Sequence, residues 1–468
     1  MKRILLLAVV TAAALSGCTA GSTSTGATRP AGTTGPAGAA GRGLADRKSC
    51  PGETGFTCGT LTVPLDRAHP SHGSLALNVA VGDDASARRG VLLALTGGPG
   101  QPGAGLLSTV APRLAGFDAG YQLVMIDQRG TGGTAIDCPQ LQSQVGSSDI
   151  APATPAAVTA CARTIGTDRA FYTTADTVAD LDQLRSALGI DAWTIDGVSY
   201  GSYVAQRYAY AHPRHVTKLV LDSVVPANGV PALYRDSLHR TATVLRDACR
   251  TVGCPGDPAA DVASIVAASH DGARLFDFLV TASIVDPTFA GDNYYPVLPL
   301  LHRAARGDTR PLRDAITDLE SNQSNPGFAA YSSGLHAATI CPELAEAPWV
   351  TPSAALPRDR AVTAAESTIT PGSVWPFDPA TAIEQGIVNS CRYWPPTRPV
   401  PPVTGRLTMP VLMINGDHDL STPLPWAQSD LAHFTDAKLV VVTGMGHSVQ
   451  GRNAQGDAAV KAFLSGAD

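Results

Sequence analysis

Short apolar runs alternate with amphipathic segments along the chain from about Gly59 onward. Apolar positions three and four residues apart predict helices, whereas continuous apolar runs between turn residues predict buried strands. Strands are predicted at residues 74–81, 90–95, 121–127, 192–195, 218–225, 410–415 and 438–443. Helices are predicted at residues 177–188, 202–211, 232–250, 296–305 and 457–464. This alternation is typical of a mostly parallel sheet that is flanked by helices.

The pattern changes between residues 226 and 404, where helical periodicity continues without clear strand signals. Strand signals return at residues 410–415. The sequence therefore predicts an α/β core in two parts, residues 46–225 and 405–468. A helical cap, residues 226–404, is inserted late in the sheet.

The N-terminus has the features of an export signal. Lys2 and Arg3 precede an apolar stretch, and small residues follow it up to Cys18. That stretch is about a dozen residues long, short of the roughly 20 that cross a bilayer as a helix. The sequence predicts a lipoprotein signal peptide at residues 1–18, with Cys18 as the lipidated residue, or alternatively a plain secretory signal.

Residues 19–45 are nearly all Gly, Ala, Ser, Thr and Pro up to Gly43, which predicts a flexible linker. A flexible linker directly after a lipidated residue is consistent with anchoring to a membrane. We therefore expect an exported protein that is held on the outer face of the cell membrane through lipid alone, or is released.

The charge of the chain narrows its possible binding partners. The chain has 34 basic and 40 acidic side chains and no basic run, which argues against nucleic acid as a partner.

Eight of the nine cysteines remain after Cys18, and eight cysteines in an exported chain suggest four disulfides, for which 105 pairings are possible. Pairing of sequence neighbours is the simplest choice: Cys50 with Cys58, Cys138 with Cys161, Cys249 with Cys254, and Cys341 with Cys391. Their spacing argues against a zinc site, and we expect no metal, no other cofactor and a monomer.

The strongest chemical signal is the segment from Gly197 to Gly201, with Ser199 at its centre. It follows a predicted strand and precedes a predicted helix. A serine on such a tight turn, which its glycine neighbours allow, projects its hydroxyl above the edge of the sheet. Ser199 is therefore the candidate nucleophile.

A serine hydroxyl needs an imidazole to take its proton and a carboxylate to orient that imidazole. In this type of sheet the acid and then the histidine follow the serine along the chain. The candidates are Asp419 as acid, favoured over Asp417 because it lies further into its loop, and His447 as base, favoured over His418. Asp222 also ends a strand, but we expect its carboxylate to form hydrogen bonds with nearby backbone groups.

The reaction also requires two donors for the oxyanion. The backbone N–H of Tyr200, directly after the nucleophile, is one candidate. The glycine-rich residues 97–100 after the strand at 90–95 supply the other, with the N–H of Gly98 preferred to that of Gly97. No Lys-Ser/Thr pair follows these glycines, so a phosphate-binding loop is excluded.

Several motifs together resemble one family, the secreted tripeptidyl aminopeptidases of actinomycetes, which are related to proline iminopeptidase within the α/β-hydrolase fold. The resemblance runs from about Cys50 to the C-terminus. The motifs are residues 97–100, 127–132 and 197–202, Asp419 followed by Thr422-Pro423, Gly446-His447, and the late segments around Cys341 and Cys391.

This resemblance implies the same three residues, Ser199, Asp419 and His447, and implies that residues 226–404 cover the site. It further implies that an acidic cap residue, matched here by Glu343, holds the free amino group of a peptide substrate. Asp127 and Arg129 would pair beneath the site in a structural role.

The sequence therefore predicts a serine exopeptidase that removes short peptides or single residues from free N-termini. Two alternatives remain open. One is an esterase or amidase that acts on small molecules with the same residues. The other is a binding protein that has kept the fold without turnover.

Overall fold

The computed structural model describes residues 43–84, 87–116, 120–285, 289, 296–324, 327–350, 357–396 and 400–466, without the side chains of 328 and 329. The predicted signal peptide, Cys18 and nearly all of the predicted linker lie outside these residues. Within this part of the chain, no helix has both the length and the apolar character needed to cross a membrane.

Most strands lie in the two parts of the α/β core, before and after the predicted cap. They are β1 (Ala45–Ser49), β2 (Phe56–Pro64), β3 (Ser74–Gly82), β4 (Val91–Leu95), β5 (Gln122–Ile126), β6 (Trp193–Val198), β7 (Val216–Asp222), β8 (Val230–Pro231), β9 (Leu344–Ala345), β10 (Val411–Gly416) and β11 (Ala437–Val442).

The described strands form a nine-stranded sheet in the order β1-β2-β3-β5-β4-β6-β7-β10-β11. From β5 to β11 all neighbours in this order are parallel, whereas β1, β2 and β3 join the sheet antiparallel. The predicted α/β class with a mostly parallel sheet is confirmed. The first two strands were not predicted, and β1 begins at Ala45, inside the predicted linker.

Helices flank the sheet and make up most of the predicted cap. They are α1 (Leu107–Leu114), α2 (Pro139–Val145), α3 (Pro155–Ile165), α4 (Thr174–Ala187), α5 (Tyr200–Ala211), α6 (Arg235–Val252), α7 (Pro258–Ser269), α8 (Gly272–Val285), α9 (Val297–Ala305), α10 (Arg310–Ser324), α11 (Gly327–Ala330), α12 (Ser333–Ile340), α13 (Arg358–Thr368), α14 (Pro379–Glu384), α15 (Gly386–Tyr393), α16 (Leu424–Asp430) and α17 (Ala454–Ser465).

The start of α4 differs from the prediction, which placed Thr177 at the N-cap. The Thr173 hydroxyl oxygen caps the helix instead by accepting the Asp176 backbone N–H, and the Asp176 carboxylate accepts the Thr173 backbone N–H in return. Such a reciprocal capping box satisfies two backbone N–H groups at once. The helix therefore begins one turn earlier than its apolar periodicity indicates.

The predicted cap, residues 226–404, contains α6 to α15 and is helical in its described part apart from β8 and β9, which pair over two residues each. Helices α2 and α3, which precede Ser199 in the chain, pack against α10, α12 and α15. The layer over the sheet is thus built from two separate stretches of chain.

All four predicted disulfides are present. Cys50–Cys58 lies beside the first strands, Cys138–Cys161 links α2 to α3, Cys249–Cys254 lies at the end of α6, and Cys341–Cys391 joins two cap segments. Pairing by sequence proximity therefore gave the correct connectivity.

The parallel register brings several loops to one edge of the sheet. Leu95 of β4 is opposite Gly197 of β6, and Val198 is opposite Asp222 of β7. Asp222 is opposite Ile414 of β10 in turn. Because parallel strands end at a common edge, the loops after β4, β6, β7, β10 and β11 meet there.

Candidate active site

Ser199 occupies a strained turn between β6 and α5, with φ of 58° and ψ of −126°. Its backbone N–H donates to the Asp222 carbonyl over 2.9 Å. Its own carbonyl accepts hydrogen bonds from the backbone N–H and the hydroxyl of Ser202, at 2.8 and 2.6 Å. A positive φ at serine persists only when its surroundings enforce it, and these contacts do so.

The flanking glycines are required by close backbone approach. A Cβ atom at Gly197 would lie 2.3 Å from the Gly201 carbonyl oxygen. A Cβ atom at Gly201 would lie 2.4 Å from the carbonyl oxygen of Leu95. A larger residue at Gly197 would clash within the turn, and a larger residue at Gly201 would push the turn away from β4.

Asp419 is fully buried and its carboxylate is saturated with donors. One oxygen, Oδ1, accepts the backbone N–H groups of Ser421 and Thr422 at 2.8 and 2.9 Å. The other, Oδ2, accepts the Thr422 hydroxyl at 2.7 Å and lies 2.9 Å from His447 Nδ1. These four contacts fix the carboxylate against the imidazole, so that Nδ1 carries the proton and Nε2 is left as the base.

The competing candidates lie elsewhere. Asp417 accepts the backbone N–H of Gly444 at 2.7 Å, which braces the loop after β11. His418 is buried with its Nε2 4.0 Å from that same Asp417 carboxylate. The structure thus brings Asp419, and not Asp417, to His447.

The electrostatic surroundings of His447 raise its pKa. Burial alone would lower the pKa, but the charge of Asp419 and its hydrogen bond outweigh the burial, and Asp222 adds to them. Asp222 itself accepts the backbone N–H groups of Val449 and Gln450, at 3.1 and 2.8 Å, and so holds the loop that carries the histidine. The predicted backbone-bonding role of Asp222 matches these contacts.

A pH profile tests this environment. Because the base works only when neutral, we expect kcat/KM to rise with pH, with a midpoint above the ordinary histidine value of about 6.5. The measurement is hydrolysis of a neutral ester or anilide from pH 5 to 9. A flat profile, or a midpoint below 6, would contradict the Asp419–His447 pairing.

Ser199 and His447 line one cavity of about 530 Å³, called here the Ser199 cavity. This volume falls in the range of small-molecule sites, about 300–1000 Å³. Its wall on the core side includes Gly97 and Gly98, and its wall on the cap side includes residues of α8 and α10. Most of the exposed lining surface is apolar, and charged side chains such as Asp149 and Arg452 also border it.

The glycine-rich loop lies against the nucleophile. A Cβ atom at Gly97 would be 3.0 Å from Ser199 Cβ and 3.3 Å from its hydroxyl oxygen. Gly98 lines the same cavity with φ of 104°, a conformation that favours glycine. The backbone N–H groups of Tyr200 and of this loop stay the predicted oxyanion donors, with the N–H of Gly98 preferred to that of Gly97.

Glu343 lies behind the nucleophile turn and is not among the residues that line the Ser199 cavity. Its carboxylate accepts the Thr174 backbone N–H at 2.7 Å and the Thr174 hydroxyl, which also contacts the Tyr200 hydroxyl at 2.6 Å. Burial raises the pKa of Glu343 to about 7. Its position therefore does not support the predicted contact with the amino group of a substrate, because an ammonium group would have to displace Thr174.

Two substitutions separate a structural role of Glu343 from a substrate-binding role. Glu343→Gln keeps an acceptor for the Thr174 N–H, and we expect little change in stability or in kcat/KM. Glu343→Ala leaves the buried Thr174 backbone N–H unpaired and should lower the free energy of unfolding by about 1–3 kcal/mol. Urea unfolding and steady-state kinetics measure both effects. A large loss of kcat/KM in Glu343→Gln with unchanged stability would restore the substrate-binding role.

Two acids line the Ser199 cavity. Asp196 of β6 is buried and accepts the Gln450 side chain at 3.0 Å, whereas the other acid, Asp149, lies in the loop between α2 and α3 and is half-buried. Asp149 Oδ1 accepts the Tyr331 hydroxyl at 2.6 Å. The Tyr331 hydroxyl lies 3.1 Å from His336 Nδ1, which is also 3.1 Å from the Pro99 carbonyl in the glycine-rich loop. Sequence reasoning missed this cluster because the Asp149 loop carries no motif.

Arg129 and Asp127 do not pair, contrary to the prediction. The Arg129 guanidinium donates from Nε and Nη2 to Asp180, both at 2.7 Å, and is fully buried. Asp127 accepts the Asn78 side chain at 2.8 Å and the Gly105 N–H at 3.1 Å. Both residues have structural roles, but through separate contacts. Arg129 connects to α4 through Asp180, and Asp127 connects to β3 through Asn78.

Comparison with known proteins agrees with this geometry. A family model described as the alpha/beta hydrolase fold matches residues 90–243, which include Ser199. A model described as TAP-like protein matches residues 377–467, which include Asp419 and His447. Together with the order of the sheet, these matches show that the chain has the α/β-hydrolase fold.

Within that fold, the chain is similar to the tripeptidyl aminopeptidases. It is 27% identical to the tripeptidyl aminopeptidase of Streptomyces coelicolor, in an alignment that covers 84% of this chain and 78% of the relative. It is 25% identical to the serine protease Hip1 of Mycobacterium tuberculosis, in an alignment that covers 88% of this chain and 84% of the relative. The resemblance inferred from the motifs is confirmed.

Proposed function

We propose that this protein is a serine exopeptidase that removes short peptides or single residues from free N-termini. The observation that carries the proposal is the Asp419–His447 pair on a cavity that also exposes Ser199. The relatives named as a tripeptidyl aminopeptidase and a serine protease support peptides as the substrate class.

The reaction follows from the roles of three side chains. His447 takes the proton of the Ser199 hydroxyl as its oxygen attacks the substrate carbonyl, and backbone N–H groups bind the oxyanion. His447 then gives the proton to the leaving amine as the C–N bond breaks. Water hydrolyses the ester on Ser199 by the same steps. Asp419 stabilises the imidazolium that forms in each half of the reaction.

Asp149 is the group that would hold the free amino group of the substrate. It lies on the wall of the Ser199 cavity, and among the described residues only its Oδ1 accepts a hydrogen bond. A charge-assisted hydrogen bond to a carboxylate is stronger than a neutral one. Cleavage would then depend on the distance between Asp149 and Ser199, which is what makes a peptidase exopeptidic.

N-acetylation of the substrate tests this proposal. We expect acetylation of a tripeptidyl p-nitroanilide to lower kcat/KM by about 10- to 100-fold, since it removes a charge-assisted contact worth roughly 1.5–3 kcal/mol. Asp149→Asn should lower kcat/KM for the free-amine substrate by a similar factor and leave the acetylated one unchanged. Glu343→Gln is the matched control and should keep the discrimination.

The opposite results point to other functions. Equal rates for free and acetylated substrates would contradict an aminopeptidase and favour an endopeptidase. Hydrolysis of small esters without hydrolysis of any peptide anilide would favour the esterase alternative.

The location of the protein is a further part of the proposal. The basic and apolar segments before Cys18 support export, and the small residues that end at Cys18 support lipidation there. The anchored protein would act outside the cell membrane as a monomer, without a cofactor and without nucleic acid. The four disulfides fit an oxidising compartment.

A further inference from the structure

Two arginines, Arg113 and Arg452, line the Ser199 cavity together. Arg113 is near the end of α1, and Arg452 lies in the loop between β11 and α17. A Cβ atom at Gly451 would be only 2.8 Å from Arg113 Cβ and 2.9 Å from its Cγ. The stem of Arg113 thus packs on the backbone next to Arg452, and the two side chains form one basic pair.

This pair has no counter-ion within the described part of the chain, where neither guanidinium lies within 4.0 Å of a carboxylate oxygen. The acid that lies beside Arg113, Asp457, accepts the Gly451 N–H at 2.7 Å instead. Burial and the charge of Arg113 lower the pKa of Arg452, and the buried Asp222 opposes them only in part. Two like charges held together in this way favour an anion between them.

Arg452 also lies on a defined side of the reaction centre. Its Nη1 donates to the carbonyl of His447 at 3.2 Å and to the carbonyl of Ile284. Because His447 protonates the leaving amine, the leaving fragment must lie on the histidine side of Ser199. Asp149 instead belongs to the cluster that contacts Pro99 in the glycine-rich loop.

We propose that Arg113 and Arg452 bind the α-carboxylate of the leaving fragment. This inference rests on the proposed exopeptidase function and narrows its substrates to short peptides with both termini free. The amino group of such a peptide lies at Asp149 and its carboxylate at the arginine pair, with the scissile bond at Ser199. Arginine suits this role because its planar group binds a carboxylate through two parallel hydrogen bonds.

The experiment compares peptides of four to six residues that differ only in a C-terminal acid or amide. We expect the wild-type protein to favour the acid by about 10-fold or more in kcat/KM at low ionic strength. Arg113→Gln and the double variant with Arg452→Gln should bring the acid-to-amide ratio close to one. The ratio is taken within each variant, so a general loss of activity caused by the Arg452 contacts cancels. Arg313→Gln, on the exposed face of α10, is the control and should keep the wild-type ratio.

An acid-to-amide ratio near one in the wild type, or a ratio that Arg113→Gln does not change, would overturn the inference and leave the exopeptidase function intact. Cleavage of neither peptide would contradict the exopeptidase function itself, and the two failures are therefore distinguishable.

Discussion

Asp419→Asn should lower kcat by roughly 10⁴-fold, as expected for loss of the acid that orients a catalytic histidine. Two backbone N–H groups bind Oδ1, so the amide oxygen of the new side chain must take that place. Its NH₂ group then faces His447 Nδ1 and holds the imidazole in the wrong tautomer. Steady-state kinetics with a peptide anilide measure the loss.

Asp417→Asn is the matched control, because it lies in the same loop and its contact to the Gly444 N–H needs only an oxygen acceptor. We expect its kcat to stay within a few-fold of the wild type. Comparable losses in both variants would contradict the choice of Asp419. A large loss in Asp417→Asn alone would reverse it.

Ser199→Ala should reduce kcat by about 10⁶-fold, to the level that binding and the oxyanion donors alone sustain. The nucleophile is absent, so no acyl-enzyme can form, whereas the turn itself keeps its backbone contacts. Thermal unfolding should show a fold as stable as the wild type. Product release from a peptide anilide, followed over hours, measures the residual rate.

Ser147→Ala provides the control for that variant, since Ser147 is another serine on the wall of the Ser199 cavity. Its activity should be close to that of the wild type. Retention of more than a thousandth of the wild-type kcat in Ser199→Ala would mean that another group performs the attack.

Much of the site was predictable because its signals are local. The turn at Ser199 needs Gly197 and Gly201 beside it, and both are visible in the sequence. The acid and the histidine follow the last two strands, where the topology of a parallel sheet requires them. The disulfides were predictable because each joins a cysteine to the next one along the chain.

The remaining features depend on contacts between distant segments. Glu343 meets Thr174 across 169 positions, and no periodicity reveals that contact. Arg129 similarly pairs with Asp180 on α4 and not with the aspartate two positions away. Asp149 lines the cavity from the loop between α2 and α3, and these helices pack against helices of the predicted cap. Sequence patterns identified the candidates for the nucleophile, the acid and the base, whereas packing decided which other acids line the cavity.

Activation of Ser199 by His447 can be tested by covalent labelling. The folded protein is incubated with a fluorophosphonate, and its peptides are then analysed by mass spectrometry. We expect a single adduct on Ser199, absent in Ser199→Ala and formed far more slowly in His447→Ala or at pH 5. An adduct on another residue, or none on a protein shown to be folded, would contradict this expectation.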